Sequence, residues 1–127
     1  MPQSFAKNER LKSKQSITAL FNEGKFIRKK FLALKFLPTG DALPHKVAFS
    51  VPKRRFAKAV DRNRIKRRIL EAYRLNKHLL ADFEGSSLHL ILMYNTSQEY
   101  DFQEIEATLK KLLAELNNLS GKASFLS

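Results

Sequence analysis

The segment Leu88–Tyr94, which reads LHLILMY, constrains the fold more than any other part of the chain. Apolar residues fill almost every position, without the alternation expected of a strand that has one wet face. A short run of this kind, preceded by the Gly-Ser-Ser of residues 85–87, is typical of a strand covered on both faces. We therefore expect it to lie centrally in a sheet.

Two amphipathic helices are predicted on either side of this strand. Between residues 57 and 80 the apolar positions fall within about a third of a helical wheel, at about 3.6 residues per turn. They are Ile65, Ile69, Ala72, Tyr73, Leu79 and Leu80, and Asn76 is the one polar residue on that face. Residues 101–118 form the second helix, with Asp101 and Glu104 at capping-box spacing. Its predicted core stripe is Ile105, Leu109, Leu112, Leu113, Leu116 and Leu119.

The amino-terminal part predicts a shorter helix over residues 13–24. Ser13 or Ser16 can cap its start, and Gly24 permits a left-handed exit at its end. Ile17, Leu20 and Phe21 share one face of it.

Three further strands are expected before the long helix. Residues 25–30 form a basic stretch that suits a short strand, and residues 31–37 place Leu32, Leu34 and Phe36 on one face. After a turn at residues 38–41, residues 45–51 alternate again, and we expect the strands 31–37 and 45–51 to pair antiparallel. The chain of 127 residues is then one α/β domain, a two-layer sandwich in the order α-β-β-β-α-β-α, with its core at about residues 9–119 and disordered tails.

Positive charge is concentrated in the middle of the chain. The 24 Lys and Arg residues exceed the 12 Asp and Glu residues, for a net charge of +12. Residues 1–45 carry 9 basic and 3 acidic side chains, residues 46–78 carry 12 and 2, and residues 79–127 carry 3 and 7. A solvated basic face is the simple interpretation, but charge this localised favours a polyanionic partner.

Several classes of function lack their sequence features. There is no Cys, and His45, His78 and His89 show no metal-ligand spacing. No pairing of nucleophile and base and no phosphate-binding glycine loop can be identified. The first residues contain no apolar signal region, and no apolar run could span a bilayer. We expect a cytoplasmic protein with no catalytic residues, no tightly bound metal or cofactor, no membrane contact and no small-molecule substrate.

Candidate binding residues form two cationic clusters. The first is Lys53, Arg54 and Arg55 with Lys58, and the second is Arg62, Arg64, Lys66, Arg67 and Arg68 on the long helix. The planar fork of arginine holds phosphate oxygens in a bidentate way. Asn63 can bind a sugar hydroxyl or base edge, or equally form a local cap or turn bond.

A second candidate site is an apolar groove beside the first helix. Ile17 and Phe21 could meet Leu34 and Phe36 there, with basic residues along the rim. Those basic residues are Arg10, Lys12, Lys35 and Lys46. Bases of single-stranded nucleic acid stack in such grooves. Ordinary core packing is the alternative interpretation.

Residues 59–74, AVDRNRIKRRILEAYR, preceded by FSVPK at 49–53, resemble the bacterial ribonuclease P protein component family. The ERLK of residues 9–12, the short helix ending at Gly24 and the late strand and helix follow the same order, so the resemblance covers about residues 9–119. The chain departs from many members at residues 54–58, at Met93-Tyr94, and at Ile17, where Phe is frequent.

The resemblance implies the protein subunit of the ribonucleoprotein that removes the 5′ leader from precursor tRNA. Catalysis then belongs to the RNA subunit and its Mg²⁺ ions, and the protein alone is inactive. The resemblance implies that Arg62, Asn63, Arg64, Lys66 and Arg67 contact the catalytic RNA, with Lys53 and Arg54 nearby. It also implies that Ile17, Phe21 and Leu34 line a leader cleft, to which we add Phe36.

The resemblance further implies a left-handed β-α-β connection through the long helix, against the usual right-handed rule. A ribosomal or other structural RNA-binding protein is the main alternative, and only the Arg-Asn-Arg region discriminates against it. A DNA-binding helix-turn-helix requires two adjacent helices, whereas the basic helix here lies between strands.

Overall fold

The structure, a computed structural model, describes residues 7–41, 44–80 and 86–126, with side chains as far as Leu119. The α-helices and strands in this part of the chain are α1 (Lys14–Glu23), β1 (Lys25–Lys29), β2 (Leu32–Pro38), β3 (Lys46–Ser50), α2 (Ala59–Asn76), β4 (Leu88–Tyr94) and α3 (Phe102–Leu126). Their order is the predicted one, and α3 continues beyond the predicted end. Most of the amino-terminal tail and Gly85 lie outside the described residues, so the expected disorder of that tail stays a prediction.

The predicted antiparallel pairing of β2 with β3 is wrong. The described sheet has the order β1-β2-β4-β3, with β4 antiparallel to β2 and parallel to β3. Leu92 of β4 therefore lies between Leu34 of β2 and Phe49 of β3. The physical reason is the composition of β4, because a strand that is apolar on both faces is most stable with neighbours on both sides. The β3–α2–β4 connection joins parallel neighbours, and its handedness stays a prediction.

Strand alternation divides β4 between two apolar clusters. Leu88, Leu90 and Leu92 pack into the main core, which also contains the buried residues of α2 and α3. Ile91 and Met93 point to the opposite face, where α1 packs. Burying one such Leu contributes about 1.5–3 kcal/mol. The sheet with α2 and α3 makes the two main layers, and α1 covers only part of the other face.

The start and end of α1 have different explanations. Ser13 is the N-cap, because its Oγ accepts from Ser16 N at 3.2 Å. The predicted left-handed exit at Gly24 is wrong, since its φ of −70° and ψ of 152° are extended. Glycine is needed there for space, because a Cβ atom would lie 2.3 Å from the Leu20 carbonyl oxygen. Leu20 is fully buried, whereas Phe21 is exposed.

The helix α2 is shorter than the predicted segment. It ends at Asn76 and a 3₁₀ turn follows over Lys77–Leu79. That turn changes the angle per residue, so Leu80 is buried while Leu79, predicted on the core face, is exposed. Asn76 is buried on this face because its Nδ2 donates to Ala72 O at 2.8 Å and to Glu106 Oε2 at 2.9 Å. The polar residue therefore fastens α2 to α3.

The predicted cap and core stripe of α3 are confirmed in the structure. Asp101 Oδ1 accepts from Glu104 N at 2.9 Å. The stripe packs in the main core, with only Leu119 partly exposed. Among the residues that the structure describes, no helix is both long and apolar enough to cross a membrane.

Candidate nucleic-acid interface

The loop before α2 exposes the side chains of Lys53 and Arg54, whereas that of Arg55 is held by a hydrogen bond. Lys53 and Arg54 are exposed in a turn in which Pro52 O accepts from Arg55 N at 3.1 Å. Arg55 turns inward, and its Nη2 donates to Asn95 Oδ1 at 3.0 Å. Two of the predicted contacts are thus open to solvent, and Arg55 instead ties the loop to the end of β4.

Arg62, the first arginine of the signature, is bound to the loop backbone. Its Nη1 donates to Phe56 O at 2.9 Å and to Ala57 O at 2.8 Å. These charge-assisted bonds satisfy carbonyls that precede the helix and fix how the loop enters α2. Arg62 therefore shapes the surface that its neighbours present.

A cluster of ion pairs holds Arg64 and Arg68. Arg64 donates from Nε to Glu99 Oε2 at 2.7 Å and from Nη2 to Glu99 Oε1 at 2.9 Å. The same Nη2 donates to Asp61 Oδ1 at 2.7 Å. Arg68 Nη1 lies 2.9 Å from Glu99 Oε2 and donates to the Tyr100 carbonyl at 2.7 Å. The hydrogen bonds from Arg64 lower the pKa of Glu99 to about 2, against the opposing effect of burial, and Glu99 in turn raises the pKa of Arg64.

Three further polar side chains lie on the outer face of α2. Asn63 and Arg67 are exposed and one helical turn apart, and Lys66 is half-buried beside them. Within the described part of the chain, the side chains of these three residues form no hydrogen bond or ion pair. The interpretation of Asn63 as a local cap is therefore wrong. Ile65 and Ile69, both fully buried, anchor this face from behind.

A groove of about 400 Å³ lies between α1 and the sheet. Its lining is Phe21, Phe26, Ala33, Ser50, Pro52, Arg54, Met93, Tyr94 and Asn95. Phe21 and Phe26 are 44% and 54% exposed, which is unusual for large apolar side chains. Lys35 Nζ donates to Phe21 O at 2.7 Å and lies 5.0 Å from the ring centroid. The groove combines open aromatic faces with a cation, Arg54, from the loop before α2.

Leu34 and Phe36 do not belong to this groove, and their assignment to a cleft is wrong. Both are 1% exposed and pack in the main core, on the sheet face opposite α1. Alternation along β2 gives the reason, because residues that face α2 and α3 cannot also face α1. Ile17 is half-buried and packs with Leu20 and Ile91 between α1 and the sheet.

Arg10 and Lys12 lie beside β3 rather than beside Phe21. Leu11 N donates to Val47 O at 3.0 Å, which extends the sheet past its edge. The two cations line a separate depression of about 240 Å³ with Ala48, Phe49 and Leu70. The predicted rim of one groove is thus divided between two surfaces.

Comparison with known proteins connects these surfaces to a family. The family model described as Ribonuclease P matches residues 5–117. The ribonuclease P protein component of Porphyromonas gingivalis is 38% identical over 120 residues, which cover 88% of this chain and 85% of that protein. The component from Thermotoga maritima is 30% identical over 121 residues, which cover 95% and 100%. The chain belongs to the ribonuclease P protein family.

Solved structures of ribonuclease P proteins share the fold. The Staphylococcus aureus protein matches with a TM-score of 0.71 at 17% identity, covering 86% of this chain and 94% of that one. The Thermotoga maritima protein matches with a TM-score of 0.70 at 24% identity, covering 83% and 94%. The predicted α/β fold class is confirmed.

The family fixes the general role of the chain. It is the protein subunit of ribonuclease P, an endoribonuclease of tRNA processing, and its partner is RNA. The alternative of a ribosomal or other structural RNA-binding protein is not favoured by these relatives.

Sequence reasoning missed several residues of the ribonuclease P protein surface. Phe26, Ala33 and Met93 line the groove. Strand alternation could have found Ala33, since it neighbours Leu32 and Leu34, which were assigned to one face. Glu99 lies in the loop between β4 and α3, and no local pattern pairs it with arginines that precede it by about thirty residues.

Proposed function

We propose that the protein binds the catalytic RNA of ribonuclease P through the outer face of α2 and holds the 5′ leader of precursor tRNA in the groove beside α1. In this proposal the RNA subunit cleaves the phosphodiester bond with its own Mg²⁺ ions, in the cytoplasm. The protein positions both RNAs and binds no cofactor tightly.

The face of α2 suits a structured RNA because the helix that carries its cations is firmly anchored. Asn63 and Arg67 project from a helix whose other side is anchored by Ile65 and Ile69. Lys53 and Arg54 extend the cationic surface from the adjoining loop. The arginine fork can bind phosphate oxygens in a bidentate way, and the anchored backbone fixes the spacing between the cations. The observation that carries this part is the absence of carboxylate partners for Arg67 within the described residues.

The groove suits a single strand because it offers faces on which bases can stack. Phe21 and Phe26 expose their rings, and Arg54 supplies a charge for the backbone. Stacking of one base on an aromatic side chain contributes about 1–3 kcal/mol without sequence preference. A leader of variable sequence is the kind of ligand that such a surface accepts.

Among the described residues, no group of three or more His, Asp or Glu side chains could hold a metal ion. The assignment of the Mg²⁺ ions to the RNA subunit rests on the resemblance to the family.

The test is reconstitution at low Mg²⁺ concentration. Purified protein is added to the cognate catalytic RNA, and 5′ cleavage of precursor tRNA is followed. We expect the protein to accelerate cleavage over RNA alone, and the protein alone to cleave nothing. Cleavage by the protein without RNA, or no effect of the protein on the RNA reaction, would contradict the proposal.

A further inference from the structure

Two guanidinium groups of α2 converge on one carboxylate from a different part of the chain. Glu99 accepts from Arg64 in a bidentate way, at 2.7 and 2.9 Å, and lies 2.9 Å from Arg68. Paired N–H donors at these distances are the geometry with which arginine binds a phosphate group. We infer that the Glu99 carboxylate occupies a phosphate-binding site and that an RNA phosphate displaces it when the catalytic RNA binds. This inference rests on the proposed function of α2.

The arginines are held in place without Glu99. Arg64 also donates to Asp61 at 2.7 Å, one helical turn before it. Arg68 also donates to the Tyr100 carbonyl at 2.7 Å. After the carboxylate leaves, each guanidinium keeps one partner and stays directed at the vacated position. The incoming phosphate therefore meets a site that is already arranged.

The loop that carries Glu99 is fixed on both sides of that residue. Tyr94 Oη donates to Gln98 O at 2.9 Å and accepts from Tyr100 N at 2.9 Å. The Tyr100 ring stacks on Phe31 with centroids 4.1 Å apart and an interplanar angle of 7°. Because the backbone is anchored, displacement requires only rotation of the Glu99 side chain, which is 31% exposed.

Competition of this kind favours specificity over affinity. In the free protein, Asp61 and Glu99 neutralise Arg64 and Arg68, so these two arginines attract a distant polyanion weakly. An RNA gains their hydrogen bonds only if it delivers a phosphate to the position of the carboxylate. An RNA that matches the protein in charge but not in shape does not displace Glu99, and the remaining carboxylate repels its phosphates.

The experiment compares Glu99→Gln with Glu104→Gln. Both variants remove one negative charge, but the Glu104 side chain contacts neither arginine in the described structure. Dissociation constants are measured over a salt series for the catalytic RNA and for an unrelated structured RNA of the same length. We expect Glu99→Gln to bind both RNAs about 1.5- to fivefold more tightly than Glu104→Gln, from the usual strength of exposed ion pairs. The log-salt slope should steepen by about 0.7–0.9.

In Glu99→Gln the affinity for the unrelated RNA should rise at least as much as the affinity for the catalytic RNA, so that the protein discriminates less between the two RNAs. Equal or weaker binding of Glu99→Gln than of Glu104→Gln would overturn the inference and make Glu99 a residue that only positions the arginines. In an Arg64→Ala/Arg68→Ala background the two Gln variants should be equivalent, and a persistent gain would also overturn it. Failure of the unaltered protein to bind the catalytic RNA would instead contradict the proposed function.

Discussion

Replacing Phe21 by Ala should weaken binding of precursor tRNA that carries a leader, with little effect on mature tRNA. The Phe21 ring is 44% exposed and forms one wall of the groove. Loss of one stacked base costs about 1–3 kcal/mol, which is about a 5- to 150-fold increase in Kd. The bond from Lys35 should survive, because it is made to the Phe21 backbone carbonyl.

The assay measures Kd for precursor and mature tRNA with the reconstituted holoenzyme. Leu79→Ala is the matched control, since Leu79 is 43% exposed but does not line the groove. Thermal unfolding of both variants checks that the fold is retained. Equal losses for precursor and mature tRNA, or equal losses in the Phe21 and Leu79 variants, would refute the assignment of the leader to this groove.

Three further predictions address the cationic helix, the end of α1 and the acid range. Arg67→Ala should weaken catalytic RNA binding and lower the log-salt slope by about 0.7–0.9. The control is Arg74→Ala, which should change the slope less because the Arg74 cation is paired with Glu71 at 2.6 Å. Equal changes in the two variants would argue against the assignment of Arg67 to the RNA-binding surface. Gly24→Ala should cost about 1–3 kcal/mol of unfolding free energy in urea titrations, because the new Cβ overlaps the Leu20 carbonyl; unchanged stability would contradict the close approach. Glu99 has a pKa lowered to about 2 by its hydrogen bonds from Arg64, so its stabilising effect is complete above its ordinary pKa and is lost as pH falls toward 2. The stability difference between the unaltered protein and Glu99→Gln should therefore be below about 1 kcal/mol at pH 6 and shrink toward pH 2, and a difference that does not change with pH would contradict the ion pair.

The order of elements could be predicted because each one has a strong local pattern. The apolar run of β4 indicated a central strand, and the stripe from Ile105 to Leu119 indicated a core helix. The pairing of β2 with β3 could not be excluded from local pattern, since two alternating strands joined by a turn usually form a hairpin. Only the insertion of β4, which comes later in the chain, separates them.

The candidate site also has a part that local sequence patterns predict and a part that they do not. The exposure of Arg67 follows from helical periodicity alone. The partners of Arg64 do not, because Glu99 reaches it through the tertiary fold. Leu34 was misplaced because apolar character marks a residue for burial but does not say which face of the sheet is covered.

Alternation along β4 limits how the groove can be altered. Leu92 fills the core, and the next residue, Met93, lines the groove. A slip of one position would exchange the two sets, so the lining of the groove cannot be adjusted by sliding the strand. With the leader placed in this groove as proposed, libraries that vary Ala33 and Met93, which both line it, offer a direct way to change how the holoenzyme accepts a leader.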